Sequence, residues 1–252
     1  MEKFLKDKSE NTGSAASAGS GRIWELDALR GIAIICVCII HYFTQLSLVG
    51  GRDVQWLPFF WFVKQYWGAI FVIISGICVA FSHSSFRRGL IVMGCGLALT
   101  ALTYWLYLSG REGDGVLIQW GTLHLIGFCM MLYPLLKKLP APALFGLGAA
   151  IIVCGYYCMA NVRVFSSWLF PFGLRTYYFT AFDWFPIMPY LGWFMTGIGL
   201  KRLIYKEKRS LLPRVNERFL PLRFLCACGR HSLEIFMIHQ PLFYLIISGL
   251  YR

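Results

Sequence analysis

Leu26-Asp27-Ala28-Leu29-Arg30-Gly31-Ile32-Ala33-Ile34-Ile35-Cys36-Val37-Cys38-Ile39-Ile40-His41-Tyr42-Phe43 is the stretch that decides the fold. It begins with an acidic and a basic residue, runs without charge, and then places an imidazole inside the run. A helix rising about 1.5 Å per residue carries His41 roughly 16 Å beyond Arg30. A bilayer hydrocarbon core is about 30 Å thick, so an arginine at one surface puts that histidine near the midplane. Ionisable groups at such depth are costly and are retained for function.

The rest of the chain agrees with a membrane setting. It has 252 residues, 58% of them hydrophobic and only 14% charged, more apolar than a soluble domain of this length needs to fill its core. Seven apolar runs stand out, near Gly31–Val49, Tyr66–Phe81, Leu90–Leu108, Val116–Leu136, Ala143–Met159, Trp184–Leu200 and Ser232–Leu250. Each approaches the roughly 20 residues a crossing helix needs. The runs are continuous, whereas barrel strands alternate. The expected fold is therefore all-α, a polytopic helical membrane protein with about seven transmembrane helices.

Basic residues give the orientation. With a cytosolic N-terminus, eighteen of the 24 lysines and arginines fall on inner segments, nine of them between Lys201 and Arg230. That asymmetry follows the positive-inside rule. The net charge of +12 then reads as topology and attraction to anionic lipid, and not as a nucleic-acid surface. It also favours an anionic cytosolic ligand. Residues 1–21, rich in Ser, Gly and Ala, are expected to form a disordered cytosolic tail. The nine cysteines fall mostly within the runs at spacings that make no zinc site, so no metal is expected.

Two loops allow two readings each. Between Lys201 and Arg230, Phe219-Leu220-Pro221-Leu222-Arg223-Phe224-Leu225 alternates apolar and basic residues. It suits a segment lying among lipid headgroups, or a flap over a cytosolic site. The loop before the sixth run carries Trp168, Phe170, Phe172, Tyr177, Tyr178, Phe179 and Phe182, then Asp183-Trp184. Such aromatics form an interfacial belt, or a platform for a sugar-like acceptor with Asp183 and Arg175 beside it.

Three histidines reach similar depth by residue count: His41, His124 and His239. Thr44 and Gln45 extend the polar face at i+3 and i+4 from His41, and Gln240 flanks His239. One buried histidine is readily explained as interhelical glue; three at one depth point to a shared centre. No lysine lies in the last run to hold a retinal Schiff base, and no helix carries a histidine pair for stacked haems. A neutral imidazole is a natural general base or nucleophile. Arg30, Arg87 and Arg88 are then candidate phosphate partners for a nucleotide-bearing donor. Glu234, about one turn before His239, is placed to pair with an inner arginine and shape the donor pocket.

Leu26-Asp27-Ala28-Leu29-Arg30-Gly31-Ile32-Ala33 with His41 eleven residues past the arginine resembles the opening signature of the transmembrane acyltransferase superfamily. That superfamily includes bacterial polysaccharide O-acetyltransferases and the heparan-alpha-glucosaminide N-acetyltransferase. Phe71-Val72-Ile73-Ile74-Ser75-Gly76 resembles its second-span motif. Gly121-Thr122-Leu123-His124-Leu125-Ile126-Gly127 and Gly229-Arg230-His231-Ser232-Leu233-Glu234-Ile235-Phe236-Met237-Ile238-His239-Gln240-Pro241 are similar to short bacterial members grouped with the heparan enzyme's catalytic domain.

The resemblance covers 22–252 and implies an acyltransferase of the bacterial inner membrane. Acetyl-CoA on the cytosolic side would be the donor, and a cell-surface or cell-wall glycan on the far side the acceptor. It implies catalytic roles for His41, His239 and His124, and donor binding by Arg30, Arg87, Arg88 and Glu234. Better-known members have ten or more spans, which raises a homodimer as the way to complete the site. In the heparan enzyme the position of His41 is asparagine, and its catalytic histidine lies further on, near the place of Arg52. The rival readings are a small-molecule transporter with a histidine proton relay, and a silent partner subunit.

Overall fold

The computed structural model describes residues 23–51, 58–110, 113–206, 209–212 and 219–251. The expected tail over 1–21 and Arg52 lie outside them. A helix stands at each of the seven apolar runs: α1 (Trp24–Leu48), α2 (Pro58–Val79), α3 (Ser85–Leu108), α4 (Thr122–Leu136), α5 (Ala141–Asn161), α6 (Ile187–Ile204) and, last in the chain, α8 (Ser232–Tyr251). Between the last two comes a short helix, α7 (Leu220–Arg230). Among the described residues the secondary structure is helical apart from one isolated bridge, Arg163 to Arg175.

Four of these helices are long and apolar enough to cross a membrane: α1, α3, α5 and α8. Tyr66–Val79 and Thr122–Leu136 are shorter apolar helices. The chain is thus an all-α protein with four candidate spans and further apolar helices beside them. Leu97, Trp105, Val153, Tyr157 and Leu245 are exposed on the outer faces of α3, α5 and α8. Side chains of that kind on a candidate span suit lipid contact.

Facing glycines hold the helices together. Helices already in lipid gain no water-driven reason to associate, so close backbone approach and dispersion must supply it. A Cβ added at Gly31 of α1 would overlap the Leu225 carbonyl of α7, and one at Gly229 would overlap the Asp27 carbonyl. Gly76 of α2 meets Phe194 and Gly197 of α6 in the same way. Gly89 and Gly127 join α3 to α4, and Gly148 and Gly192 join α5 to α6. Those four pairs have the most extensive helix contacts of the fold. Val72, Leu125, Leu144, Phe194 and Ile198 form the largest buried cluster, between α2, α4, α5 and α6.

The segment around Phe219–Leu225 is packed on one face and exposed on the other. It forms α7, whose Cys226 and Gly229 are buried against α1, while Leu220 and Phe224 stay exposed. Nearby, Glu25 accepts hydrogen bonds from the Ser210 hydroxyl (2.8 Å) and the Leu211 amide (2.6 Å), fastening residues 210–211 to the start of α1. Residues 210–211 and one face of α7 are therefore packed against α1.

Candidate functional site

Helices α1 and α8 cross where both carry buried polar side chains. His41 and Gln45 come from α1, His239 and Gln240 from α8, and all four are at least nine-tenths buried. His41 Nδ1 lies 2.7 Å from His239 Nε2. The rings are nearly coplanar, 19° apart, with centroids 5.0 Å from each other. Gln45 Nε2 donates to the Gln240 carbonyl at 3.3 Å, a second tie between the helices. Thr44 is turned onto its own helix, donating to Ile40 O at 2.8 Å.

The backbone assigns the protons. His239 Nδ1 sits 3.1 Å from the Ile235 carbonyl. A carbonyl can only accept, so Nδ1 carries hydrogen, and in the neutral ring Nε2 holds the lone pair. His41 Nδ1 must then donate to it, which leaves His41 Nε2 unprotonated. The Gln240 amide lies 3.2 Å from the same Nδ1; turned oxygen-inward, it accepts a second share of that proton. The arrangement fixes one tautomer of His41 and leaves the lone pair of its Nε2 uncommitted. Should Nε2 take a proton, the Nδ1 proton can pass to His239, whose charge the Ile235 carbonyl would then support.

His124 belongs to a different set of contacts. Its Nδ1 accepts from the Gly121 amide at 3.2 Å, its Nε2 is 3.3 Å from Thr100 Oγ1, and its ring stacks on Trp120. It serves as a cap for α4. Asp183 completes that cap, accepting from Thr122 N at 2.8 Å and Thr122 Oγ1 at 3.0 Å. A carboxylate at a helix N-terminus is electrostatically favoured, yet burial pushes the Asp183 carboxyl up to about 6, outweighing the opposing pull of the Thr122 bonds. Its neighbour Phe182 packs edge-on against His41, with centroids 5.4 Å apart. Asp183 therefore anchors one wall of the histidine site without touching it.

Two cavities flank the pair. The larger, about 430 Å³, opens near the start of α1 and is lined by Asp27, Arg30, Ser75, Arg88, Arg230 and Glu234, among others. Phe236 also lines it and stands edge-on to both histidines, at 6.0 Å from His41 and 5.2 Å from His239. The smaller cavity, about 220 Å³, lies toward the other end of α1, and Gln45, Gln240 and Phe182 are in its wall. The histidines line neither cavity and sit between the two, behind Phe236 on one side and behind Phe182 and the glutamines on the other.

Among the expected donor residues, Arg30 and Arg88 share the larger cavity with Glu234, whereas Arg87, exposed like Arg88, lines neither cavity. Glu234 Oε1 lies 3.8 Å from His231 Nδ1, with both side chains exposed; the expected pairing with an arginine does not occur among the described residues. Arg230 is a cavity residue that counting charges in the sequence treats only as topology. Its signal was its position directly after Gly229, which packs on α1. No cluster of three or more His, Cys, Asp or Glu suited to a metal ion occurs among the described residues.

Fold and site together define a helical protein with several candidate membrane spans and a buried histidine pair next to an arginine-lined cavity. A family model described as heparan-alpha-glucosaminide N-acetyltransferase, catalytic, matches residues 22–241. The chain belongs to that family. No curated protein and no solved structure matches it.

Proposed function

We propose that this protein is a membrane acetyltransferase that takes acetyl from cytosolic acetyl-CoA and delivers it to an acceptor on the far side of the bilayer. The observation that carries the reading is the position of the His41–His239 pair between an arginine-lined cavity and a second, separate one. In this reading all seven apolar helices span or enter the bilayer, with the start of α1 facing the cytosol. Arg30, Arg88 and Arg230 hold the donor's phosphates, a task for which forked guanidinium groups are well suited. From Arg30 the pantetheine arm follows α1 over the roughly 16 Å rise to His41, a distance comparable with an extended arm. Phe236 must turn aside to admit the thioester.

Overall, the C–S bond of acetyl-CoA breaks and a new bond forms between the acetyl carbonyl carbon and the acceptor oxygen or nitrogen. The acceptor's proton ends on the CoA sulfur. His41 Nε2 acts as a base that removes this proton, or as a nucleophile that carries acetyl from one cavity to the other. His239 holds His41 in the required tautomer and shares the positive charge that develops. His124 supports the site through the start of α4.

The test uses purified protein in nanodiscs with acetyl-labelled acetyl-CoA. Release of free CoA, lost in His41→Ala, supports acetyl transfer; wild-type acceptor acetylation by His41→Ala refutes this role of His41. Movement of a solute without thioester cleavage would instead identify a transporter. Label retained on the protein when acceptor is withheld, and absent from His41→Ala, separates acetyl carriage from simple base catalysis.

A further inference from the structure

The smaller cavity has a character of its own. Its wall is hydrocarbon apart from a few polar groups, with Leu99, Leu106, Ile118 and Pro241 among its residues. Four others, Leu48, Leu102, Trp105 and Leu245, are exposed on the outside of the helices. They come from α1, α3 and α8, two of which, α3 and α8, barely touch. On three candidate spans, an exposed apolar rim marks an opening toward lipid and not toward water.

At the inner end of this hydrocarbon space stand two polar atoms without partners. Gln45 Oε1 is buried and accepts nothing, and the atom of the Gln240 amide turned away from His41 is equally unpaired. The Gln45 assignment is fixed, since its Nε2 already donates to the Gln240 carbonyl. Buried polar groups are nearly always satisfied, so orphaned ones at a cavity wall signal a ligand group that completes them. The complement of Gln45 Oε1 is an O–H or N–H, within reach of the residues that touch His41.

On the basis of the acetyltransferase reading, we propose that this cavity is the acceptor site and that it takes a membrane-borne alcohol. The hydroxyl would be carried on a hydrocarbon chain and enter sideways between α3 and α8. A soluble glycan does not match such a wall: its many hydroxyls would meet leucine, isoleucine and proline, and stay unsatisfied. A hydroxyl at the end of a chain leaves its body in hydrocarbon and brings one donor to Gln45. Its oxygen forms the ester with acetyl as the thioester C–S bond breaks, and its proton passes through His41 to the departing thiolate.

The experiment compares glucose with 1-octanol as acceptors for the full chain in phosphatidylcholine nanodiscs. A dodecanol bearing a diazirine in its chain serves as a binding probe. The expected kcat/KM is at least tenfold higher for octanol. Leu102→Trp, which fills the lipid-side mouth, abolishes that preference, while Val153→Trp on the outer face of α5 leaves it intact. Photolabel falls on 99–106 and 241–245 and is displaced by octanol but not by glucose. Equal use of glucose overturns the proposal, as does labelling elsewhere or a preference that survives Leu102→Trp, which would reflect partitioning into lipid. Labelling as expected with no CoA release from any acceptor leaves an amphiphile site and overturns the transferase reading.

Discussion

Replacing His239 with leucine removes the one ring nitrogen that His41 Nδ1 reaches at 2.7 Å. In the resting protein that bond joins two neutral groups and contributes about 1 kcal/mol. When His41 becomes positively charged, through proton uptake or acetyl attachment, the same bond is charge-assisted and contributes about 1.5–3 kcal/mol. Only the difference, about 0.5–2 kcal/mol, appears in the chemical step. At about 1.4 kcal/mol per decade this is a loss of roughly 2–30-fold in kcat. Loss of tautomer control adds to it, for a total on the order of 10–100-fold. The KM for acetyl-CoA stays the same, because His239 does not line the arginine cavity. His239→Gln places an amide oxygen near the former Nε2 and retains an acceptor, so its kcat should remain within about fivefold of wild type, on the same rate scale. The assay is steady-state CoA release by each variant, with a thermal melt to establish folding. Wild-type kcat in His239→Leu refutes the reasoning. A fall in His239→Gln as deep as in His239→Leu refutes positioning, because the ring itself would then have to take the proton.

Three further outcomes follow from other parts of the fold. Gly31→Ala and Gly229→Ala each drive a methyl into the facing backbone, costing about 1–3 kcal/mol; because Arg30 and Arg230 adjoin those glycines, acetyl-CoA binding by titration weakens too, whereas Gly94→Ala, with nothing within 4 Å, is neutral in both. Arg30→Ala or Arg88→Ala weakens acetyl-CoA binding by roughly 10–150-fold, for loss of a charged hydrogen bond of about 1.5–3 kcal/mol, and Arg87→Ala leaves it unchanged. Asp183 supplies a pH dependence with a definite sign: a carboxyl raised from 3.8 to about 6 keeps its proton in the fold longer than in the unfolded chain. The native state therefore binds more protons between about pH 4 and 6, and stability falls as pH rises through that window, by about 3 kcal/mol at roughly 1.4 kcal/mol per pH unit. Asp183→Asn retains an acceptor for the Thr122 amide and a donor for its hydroxyl, so melting profiles should be flatter across the window in this variant. A wild-type profile that rises over the same range contradicts the assignment.

Helix positions were legible in the sequence because continuous apolar runs admit few alternatives where backbone polar groups must bond within the segment. Depth was partly legible too. Counting residues along a helix is a one-dimensional measurement, and it put His41 and His239 at one level, where they meet. The same count put His124 there, yet its partners are Gly121 and Thr100. Rotation about a helix axis and lateral position among neighbours do not register in a residue count. Arg87 and Arg88 are adjacent and identical in type, and only Arg88 lines the cavity, because successive helical residues point about 100° apart.

By itself the sequence determined an all-α protein with apolar helices, the arginine at the start of α1 and the imidazole deep within it. These follow from composition and the fixed rise of a helix, which act along the chain. Tertiary structure decided which buried groups touch. Pairs of glycines far apart in the chain set four close helix contacts, and they bring α7 and Arg230 to the cavity wall. The α1–α8 crossing turned two separate histidines into a hydrogen-bonded pair with one free nitrogen. That outcome depends on backbones approaching from distant parts of the chain, so no local pattern encodes it.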